Sequence, residues 1–81
     1  MTLLYFAWVR QKIGKSEERL SPPITDVAGL IAYLKSLGPN YADAFADPSR
    51  VRVAVNQHHA GLDVKLGPDD EVAFFPPVTG G

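Results

Sequence analysis

Residues 71–77 read EVAFFPP, a short apolar run that is closed by two prolines. Val72 and Phe74 alternate with their neighbours, which is the period of a strand with one buried face. Because proline cannot donate to a β-ladder, this strand is expected to end at Phe75. Residues 2–10, TLLYFAWVR, are equally apolar and predict another strand. We expect these two strands, the most apolar in the chain, to lie side by side in the middle of a sheet.

The remaining segments predict an α+β domain. Residues 16–20, 51–55 and 62–66 are expected to be strands or short extended pieces. Between the second and third strands, apolar residues recur at helical spacing and form one stripe: Val27, Leu30, Ile31, Leu34 and Leu37. Residues 41–46 predict one further helical turn. A mixed sheet with one main helix packed on one face fits a ubiquitin-like β-grasp.

Composition and charge exclude several classes of function. The chain has 81 residues, enough for one small domain, and eight basic against nine acidic residues give a net charge of −1. This balance lacks the basic surface expected of a nucleic-acid-binding protein. Residues 3–9 form the longest apolar run, which is too short to span a bilayer, and no basic leader precedes it. We therefore expect a cytoplasmic protein without a nucleic-acid or membrane partner.

The side chains offer no self-contained active site. His58 and His59 are adjacent in a predicted turn, residues 56–61, and lack a third ligand, so no metal site is expected. The serines lack a His/Asp relay, and the glycines form no phosphate-binding motif. The chain is therefore expected to bind no cofactor and to catalyse no reaction on its own.

One helix leaves the other face of the sheet uncovered. Arg10 is expected to avoid the core, which turns Phe6 and Trp8 outward with it on the first strand. Beside Ala73 and Phe75 they would form an exposed apolar patch, which is typical of a protein interface. The alternative is that Phe6 and Trp8 belong to the core.

The end of the sequence, residues 76–81, reads PPVTGG and predicts an extended tail behind a domain of residues 1–75. Its prolines favour an extended path and reduce the entropy lost on entering a pocket. Its glycines, which lack a Cβ, can pass a narrow constriction. The residues expected to enter or line a partner's pocket are Phe75, Pro76, Pro77, Val78, Thr79 and Gly80.

The carboxylate of Gly81 is the expected reactive group. A carboxylate is a poor electrophile, but an acyl adenylate is a good one, and a sulfur nucleophile can displace AMP from it to leave a thiocarboxylate. The chain contains no cysteine. If this protein carries sulfur, the carbonyl of Gly81 is therefore the expected site.

Three segments resemble one family. Residues 70–81, DEVAFFPPVTGG, are similar to the end of the small, sulfur-carrier subunit of molybdopterin synthase. Residues 6–10, FAWVR, followed by Gly14, and residues 54–57, AVNQ, also resemble that family. The resemblance spans the whole chain. It implies a β-grasp fold and a thiocarboxylate at Gly81, made by an E1-like adenylating enzyme that uses ATP together with a sulfurtransferase.

The resemblance also implies how the carrier works. The tail would enter the large catalytic subunit, sulfur would pass to a cyclic pyranopterin precursor, and two small and two large subunits would form a heterotetramer. Phe6 and Arg10 match family positions on the partner-binding face, and Trp8, which belongs to the predicted patch, is expected to bind the partner with them. Three alternatives remain: a thiamine-pathway sulfur carrier, a ubiquitin-like modifier that forms isopeptide bonds to lysine, and an interaction module with an inert tail.

Overall fold

The computed structural model describes residues 1–77, so the predicted roles of residues 78–81 lie outside the described part of the chain. The elements in chain order are β1 (Thr2–Tyr5), α1 (Ala7–Ile13), β2 (Glu17–Arg19), α2 (Val27–Lys35), α3 (Pro39–Ala44), a 3₁₀ turn (Pro48–Arg50), β3 (Arg52–Val55), β4 (His58–His59) and β5 (Glu71–Phe75).

The strands form one mixed sheet in the order β2-β1-β5-β3-β4. β1 and β5 are parallel neighbours, with Thr2 opposite Glu71 and Tyr5 opposite Phe74. β2 pairs antiparallel with β1, and β3 pairs antiparallel with β5. The predicted central pair is confirmed, as is the α+β class, and the topology is that of a ubiquitin-like β-grasp.

The core lies between the sheet and the helices. The strands contribute buried side chains from one face: Leu3, Tyr5, Val53, Val72 and Phe74. The helices contribute Val9, Ile13, Val27, Leu30, Leu34, Tyr41 and Ala44. The Phe74 ring stacks on Tyr5 at a centroid distance of 5.9 Å and meets Phe45 edge to face at 5.0 Å. The inward orientation predicted for Val72 and Phe74 is therefore confirmed.

The main helix matches the predicted stripe over most of its length. Asp26 caps it, because the Asp26 Oδ1 accepts a hydrogen bond from the Gly29 amide at 2.8 Å. The helix ends at Lys35, so Leu37 lies beyond it and is 42% exposed. Pro39 then begins α3, where its fixed φ suits the first helical turn.

The prediction of one strand over residues 2–10 was wrong, because β1 ends at Tyr5 and a helix follows. The last ladder bond runs from the Phe6 amide to the Phe74 carbonyl at 3.0 Å. In this parallel register the Phe6 carbonyl would next accept a bond from residue 76, but Pro76 has no N–H. The Phe6 carbonyl instead accepts from Val9 and Arg10, at 3.1 and 3.3 Å, and so begins α1.

The predicted turn over residues 56–61 was too long. Asn56 and Gln57 alone form the turn, with φ values of +51° and +71°, and His58 pairs with Val55 to begin β4. Positive φ at both central residues is the geometry of a tight hairpin that matches the twist of its strands. The two histidines therefore lie on a short edge strand.

Glu18 joins the sheet edge to α3. Its Oε2 accepts hydrogen bonds from the Tyr5 and Tyr41 hydroxyls at 2.7 and 2.8 Å, and its Oε1 lies 3.3 Å from the Lys15 Nζ. Burial opposes the charge, but these hydrogen bonds outweigh it and hold the pKa of Glu18 below its ordinary value of 4.5. Burial, together with the bond to Glu18, raises the pKa of Tyr5 and of Tyr41.

Glu18→Gln is expected to lower the free energy of unfolding at pH 7 by about 1.5–3 kcal/mol, because two tyrosine hydroxyls lose a charged acceptor. A carboxyl whose pKa is lowered by folding stabilises the protein above its unfolded pKa, and that contribution is lost as pH falls through the folded pKa. The difference from wild type should therefore narrow below pH 4.5. Urea unfolding measured at several pH values checks this.

Glu17→Gln is the matched control, since Glu17 is the exposed neighbour of Glu18 on β2. We expect Glu17→Gln to change stability by less than about 0.5 kcal/mol at any of these pH values. Stability curves for Glu18→Gln and wild type that run parallel across the acid range would contradict the assignment.

Candidate functional site at the end of the central strand

Within residues 1–77, no helix covers the outer face of the sheet. The strand register places the apolar side chains of this outer face near the carboxyl end of β5. Leu4, Ala73 and Ala54 form one row there across three strands. Phe75 lies one step further along, and the Phe6–Phe74 hydrogen bond brings Phe6 beside it. We call these five residues the tail-root patch: Leu4, Phe6, Ala54, Ala73 and Phe75.

Phe75 is the centre of the tail-root patch and is only half-buried. On one side it pairs across the sheet with the exposed Arg52 of β3. The His59 ring of β4 meets the Phe75 ring edge to face at a centroid distance of 5.7 Å. Aromatic residues and arginine are enriched at protein interfaces. The outward orientation predicted for Phe75 is confirmed.

Phe6 is 47% exposed, an unusual position for a large aromatic side chain. It is held there by the ladder bond to Phe74 on one side and by α1 on the other. Ala7, which follows it, has a φ of +53°, in the left-handed region that costs an alanine about 1–2 kcal/mol. This backbone turn directs α1 to the helix side of the sheet and leaves Phe6 on the outer side.

The predicted outer patch of Phe6, Trp8, Ala73 and Phe75 is therefore wrong in one member. Trp8 lies on α1 on the helix side of the sheet, where it is half-buried against the core. The Arg50 guanidinium lies over its ring, 5.1 Å from the centroid. Arg10, predicted on the same strand, is an exposed residue of α1.

The sequence did contain the signal for α1. Val9 and Ile13 are four residues apart and both are buried, and Gly14 follows with a φ of +93°. An apolar pair at this spacing before a glycine predicts a helix and its C-terminal cap. The aromatic composition of residues 2–10 hid this pattern, because aromatic residues favour strands.

The described part of the tail begins at the rim of the sheet. Pro76 and Pro77 follow β5 directly and are half-buried beside its end. Two consecutive prolines restrict the backbone to an extended path, so the direction in which the chain leaves the sheet is narrowly set.

The described residues offer neither a metal site nor a membrane-spanning helix. In residues 1–77, no group of three or more acidic, histidine or cysteine side chains is arranged to hold a metal ion. No helix in the same range is long and apolar enough to cross a membrane.

Known proteins resemble the chain over its whole length. The model of the ThiS family matches residues 3–81. The molybdopterin synthase sulfur carrier subunit of Mycobacterium tuberculosis is 40% identical over 83 residues, covering 100% of this chain and 96% of that protein. The subunit of the same name from Escherichia coli is 37% identical, covering 98% of this chain and 96% of its own.

A solved structure extends the similarity to the fold. SAMP1 from Haloferax volcanii superposes with a TM-score of 0.79 at 26% identity, covering 100% of this chain and 98% of its own. The resemblance and the β-grasp topology inferred from the sequence are both confirmed.

Phe74→Ala and Phe75→Ala should separate the core from the candidate surface. Phe74 is fully buried, so its truncation is expected to cost about 3–5 kcal/mol of stability. Phe75 is half-buried on the open face, and its truncation should cost only about 1 kcal/mol. Chemical unfolding of the two variants measures both values, and equal costs would show that Phe75 belongs to the core.

Proposed function

The chain belongs to the ThiS family, and on that premise we propose that it is the sulfur carrier of a molybdopterin synthase. The names of two full-length relatives at 37% and 40% identity support this function. The observation that carries the proposal is the position of β5. The central strand ends in a half-buried phenylalanine and two prolines, and the sequence continues from there to Gly81.

The chemistry takes place at the carboxylate of Gly81. A carboxylate oxygen attacks the α-phosphorus of ATP in an activating enzyme, pyrophosphate leaves, and an acyl adenylate forms. A persulfide of a sulfurtransferase attacks the acyl carbon and AMP leaves, which gives an acyl disulfide. A thiol then attacks the donor's sulfur atom in that S–S bond, so that a new disulfide forms on the donor side and the thiocarboxylate is released. In the large subunit the thiocarboxylate sulfur displaces an oxygen substituent from a carbon of a cyclic pyranopterin, so a C–S bond forms as a C–O bond breaks, and water later hydrolyses the acyl–sulfur bond to regenerate the carboxylate.

The body of the protein serves this chemistry by binding. The tail-root patch docks on the partner and positions residues 76–81, which can reach about 20 Å when extended. Once the domain has docked on the partner, the tail moves only in the space near the pocket, and its effective concentration there is therefore raised. The chain supplies the acyl group and the docking surface, whereas ATP and the acid–base groups belong to the partners.

Ubiquitin-like protein modification is the second candidate. A specific observation favours it, because SAMP1 is a small archaeal modifier protein, and a second crystal structure of the Haloferax volcanii protein superposes on this chain with a TM-score of 0.80 at 25% identity. A modifier uses the same adenylate, but a lysine amine of another protein attacks the acyl carbon and an isopeptide bond forms. The two functions differ in the nucleophile, so the products distinguish them.

The direct test is intact-mass analysis after incubation with ATP, the activating enzyme and a sulfur source. We expect the mass to rise by the difference between one sulfur and one oxygen, with the change located in the C-terminal peptide. Gly81→Ala should slow this conversion by about 10–100-fold, because an added Cβ displaces the acyl carbon in a narrow site. The same variant should unfold within about 0.5 kcal/mol of wild type.

A chain extended by one residue beyond Gly81 is the control, since it keeps the fold but removes the required carboxylate. An unchanged wild-type mass with an activating enzyme that converts its own carrier would contradict the proposal. Lysine-linked conjugates in place of the thiocarboxylate would instead establish the modifier.

A further inference from the structure

Trp8 and Arg50 bridge the end of the central strand on the side opposite the tail-root patch. β1 leads into α1, and the 3₁₀ turn Pro48–Arg50 leads into β3, so these two segments lie on either side of the end of β5. The contact of Arg50 with the Trp8 ring joins them. Together with Lys12, Asp43 and Asp47, they line a cleft of about 200 Å³.

Arg50 is oriented by the Trp8 ring and forms no ion pair within residues 1–77, where the one ion pair joins Lys15 and Glu18. The hydrogen bonds that the Asp47 Oδ1 accepts from the Ser49 hydroxyl and amide, at 2.7 and 3.1 Å, lower the pKa of Asp47, and the nearby Arg50 charge lowers it further. A guanidinium held over an aromatic ring keeps its N–H groups free at its edge, where they suit a carboxylate.

The charge around this end of the sheet has the opposite sign to that of the chain. Segments 6–13 and 43–52 carry four basic and two acidic residues, a charge of 4 − 2 = +2, whereas the whole chain carries −1. The remainder therefore carries −1 − 2 = −3. A positive region within a negative molecule favours a negatively charged partner at this end.

The reacting nucleotide does not fit this site. Residues 76–81 separate the Phe75 root from the acyl carbon by up to about 20 Å when extended. For a tail that is extended in the pocket, as its two prolines favour, a phosphate at the acyl carbon lies about 20 Å from the Phe75 root and therefore away from Arg50. An anion bound here belongs to the surface of the protein that the tail has entered.

We propose that the Trp8–Arg50 pair binds a glutamate or aspartate on the surface of the protein that receives the tail, as a docking contact separate from the tail-root patch. The proposal rests on the proposed function, which supplies that protein. The carboxylate lies across the guanidinium edge, and the Trp8 ring holds the guanidinium in place. The bridge thereby fixes the orientation of the carrier relative to the pocket.

The experiment measures binding of the purified large synthase subunit and, separately, of the activating enzyme from the same organism by calorimetry and stopped flow. Arg50→Gln should weaken at least one complex by about tenfold or more, since a charge-assisted contact is lost. Arg50→Lys should fall between wild type and Arg50→Gln, because lysine keeps the charge without the planar fork. Trp8→Leu should weaken the same complex.

Arg19→Gln is the matched control. Arg19 is an exposed arginine in the row of Thr2 and Glu71, about 13 Å along the strands from Phe75. We expect it to change affinity less than about twofold, which separates a specific contact from net charge. Association of wild type should slow with added salt, and the slope should be smaller for Arg50→Gln.

The outcomes separate the two proposals. Unchanged affinity of Arg50→Gln for both proteins, or an equal loss in Arg19→Gln, overturns the docking contact but leaves the carrier function standing. Failure of wild type to bind either protein overturns the proposed function and, with it, the docking contact. If Arg50→Gln lowers the thermal midpoint as well as the affinity, the salt dependence of the wild-type association rate is the deciding measurement. A wild-type association rate that does not change with salt overturns the docking contact.

The emission of Trp8, the single tryptophan of the chain, gives a direct readout. Arg50→Gln should shift this emission in the free protein, because the guanidinium leaves the ring. Binding of the partner should shift it in wild type, with the partner's own emission subtracted. An emission that does not respond to a partner bound with full affinity would place the contact elsewhere.

Discussion

The missing N–H of Pro76 shapes the functional end of this protein. The parallel ladder between β1 and β5 would continue through the Phe6 carbonyl if residue 76 could donate. Since it cannot, that carbonyl accepts the first bonds of α1, and β1 stops where β5 stops. Phe6 and Phe75 are left together at the rim of the sheet, and Pro76 and Pro77 lie outside the ladder. One proline therefore ends two strands, begins a helix and sets the root of the tail.

Local patterns predicted the centre of the fold, and long-range pairing decided its margins. The bounds of β5, its inward and outward faces and its pairing with β1 follow from alternation and from the two prolines. The end of β1 does not, because nothing within residues 2–10 shows that their ladder partner will be a proline. The side chain of Asn56 is similar: its Nδ2 donates a hydrogen bond to the Asp70 Oδ1 at 2.9 Å, a contact 14 residues away that no local turn pattern contains.

The candidate site also contains residues that local patterns predicted and residues that depend on long-range pairing. Phe75 and the adjoining prolines were predictable, since they lie on the strand that the pattern identifies. The position of Trp8 could be predicted only if α1 was known to turn to the helix side of the sheet. That turn depends on the positive φ of Ala7, a left-handed conformation that alanine does not favour. Glu18 was also unpredictable, because its partners Tyr5 and Tyr41 are 13 and 23 residues away. Such contacts are properties of the assembled sheet.

A carrier of this kind needs a rigid root more than a large one. A small domain has little stability to spare, so each surface side chain at the root of the tail must be held by contacts that the fold already makes. Phe75 is held by the central strand, Phe6 by a ladder bond and a helix, and Arg50 by the Trp8 ring. In the proposed function, a pocket that accepts the tail also fixes the position of its root, so a displacement of the root displaces the acyl carbon. That function therefore requires the two or three residues from which the tail departs to be held in place, and β5 holds them because it is paired with a strand on each side.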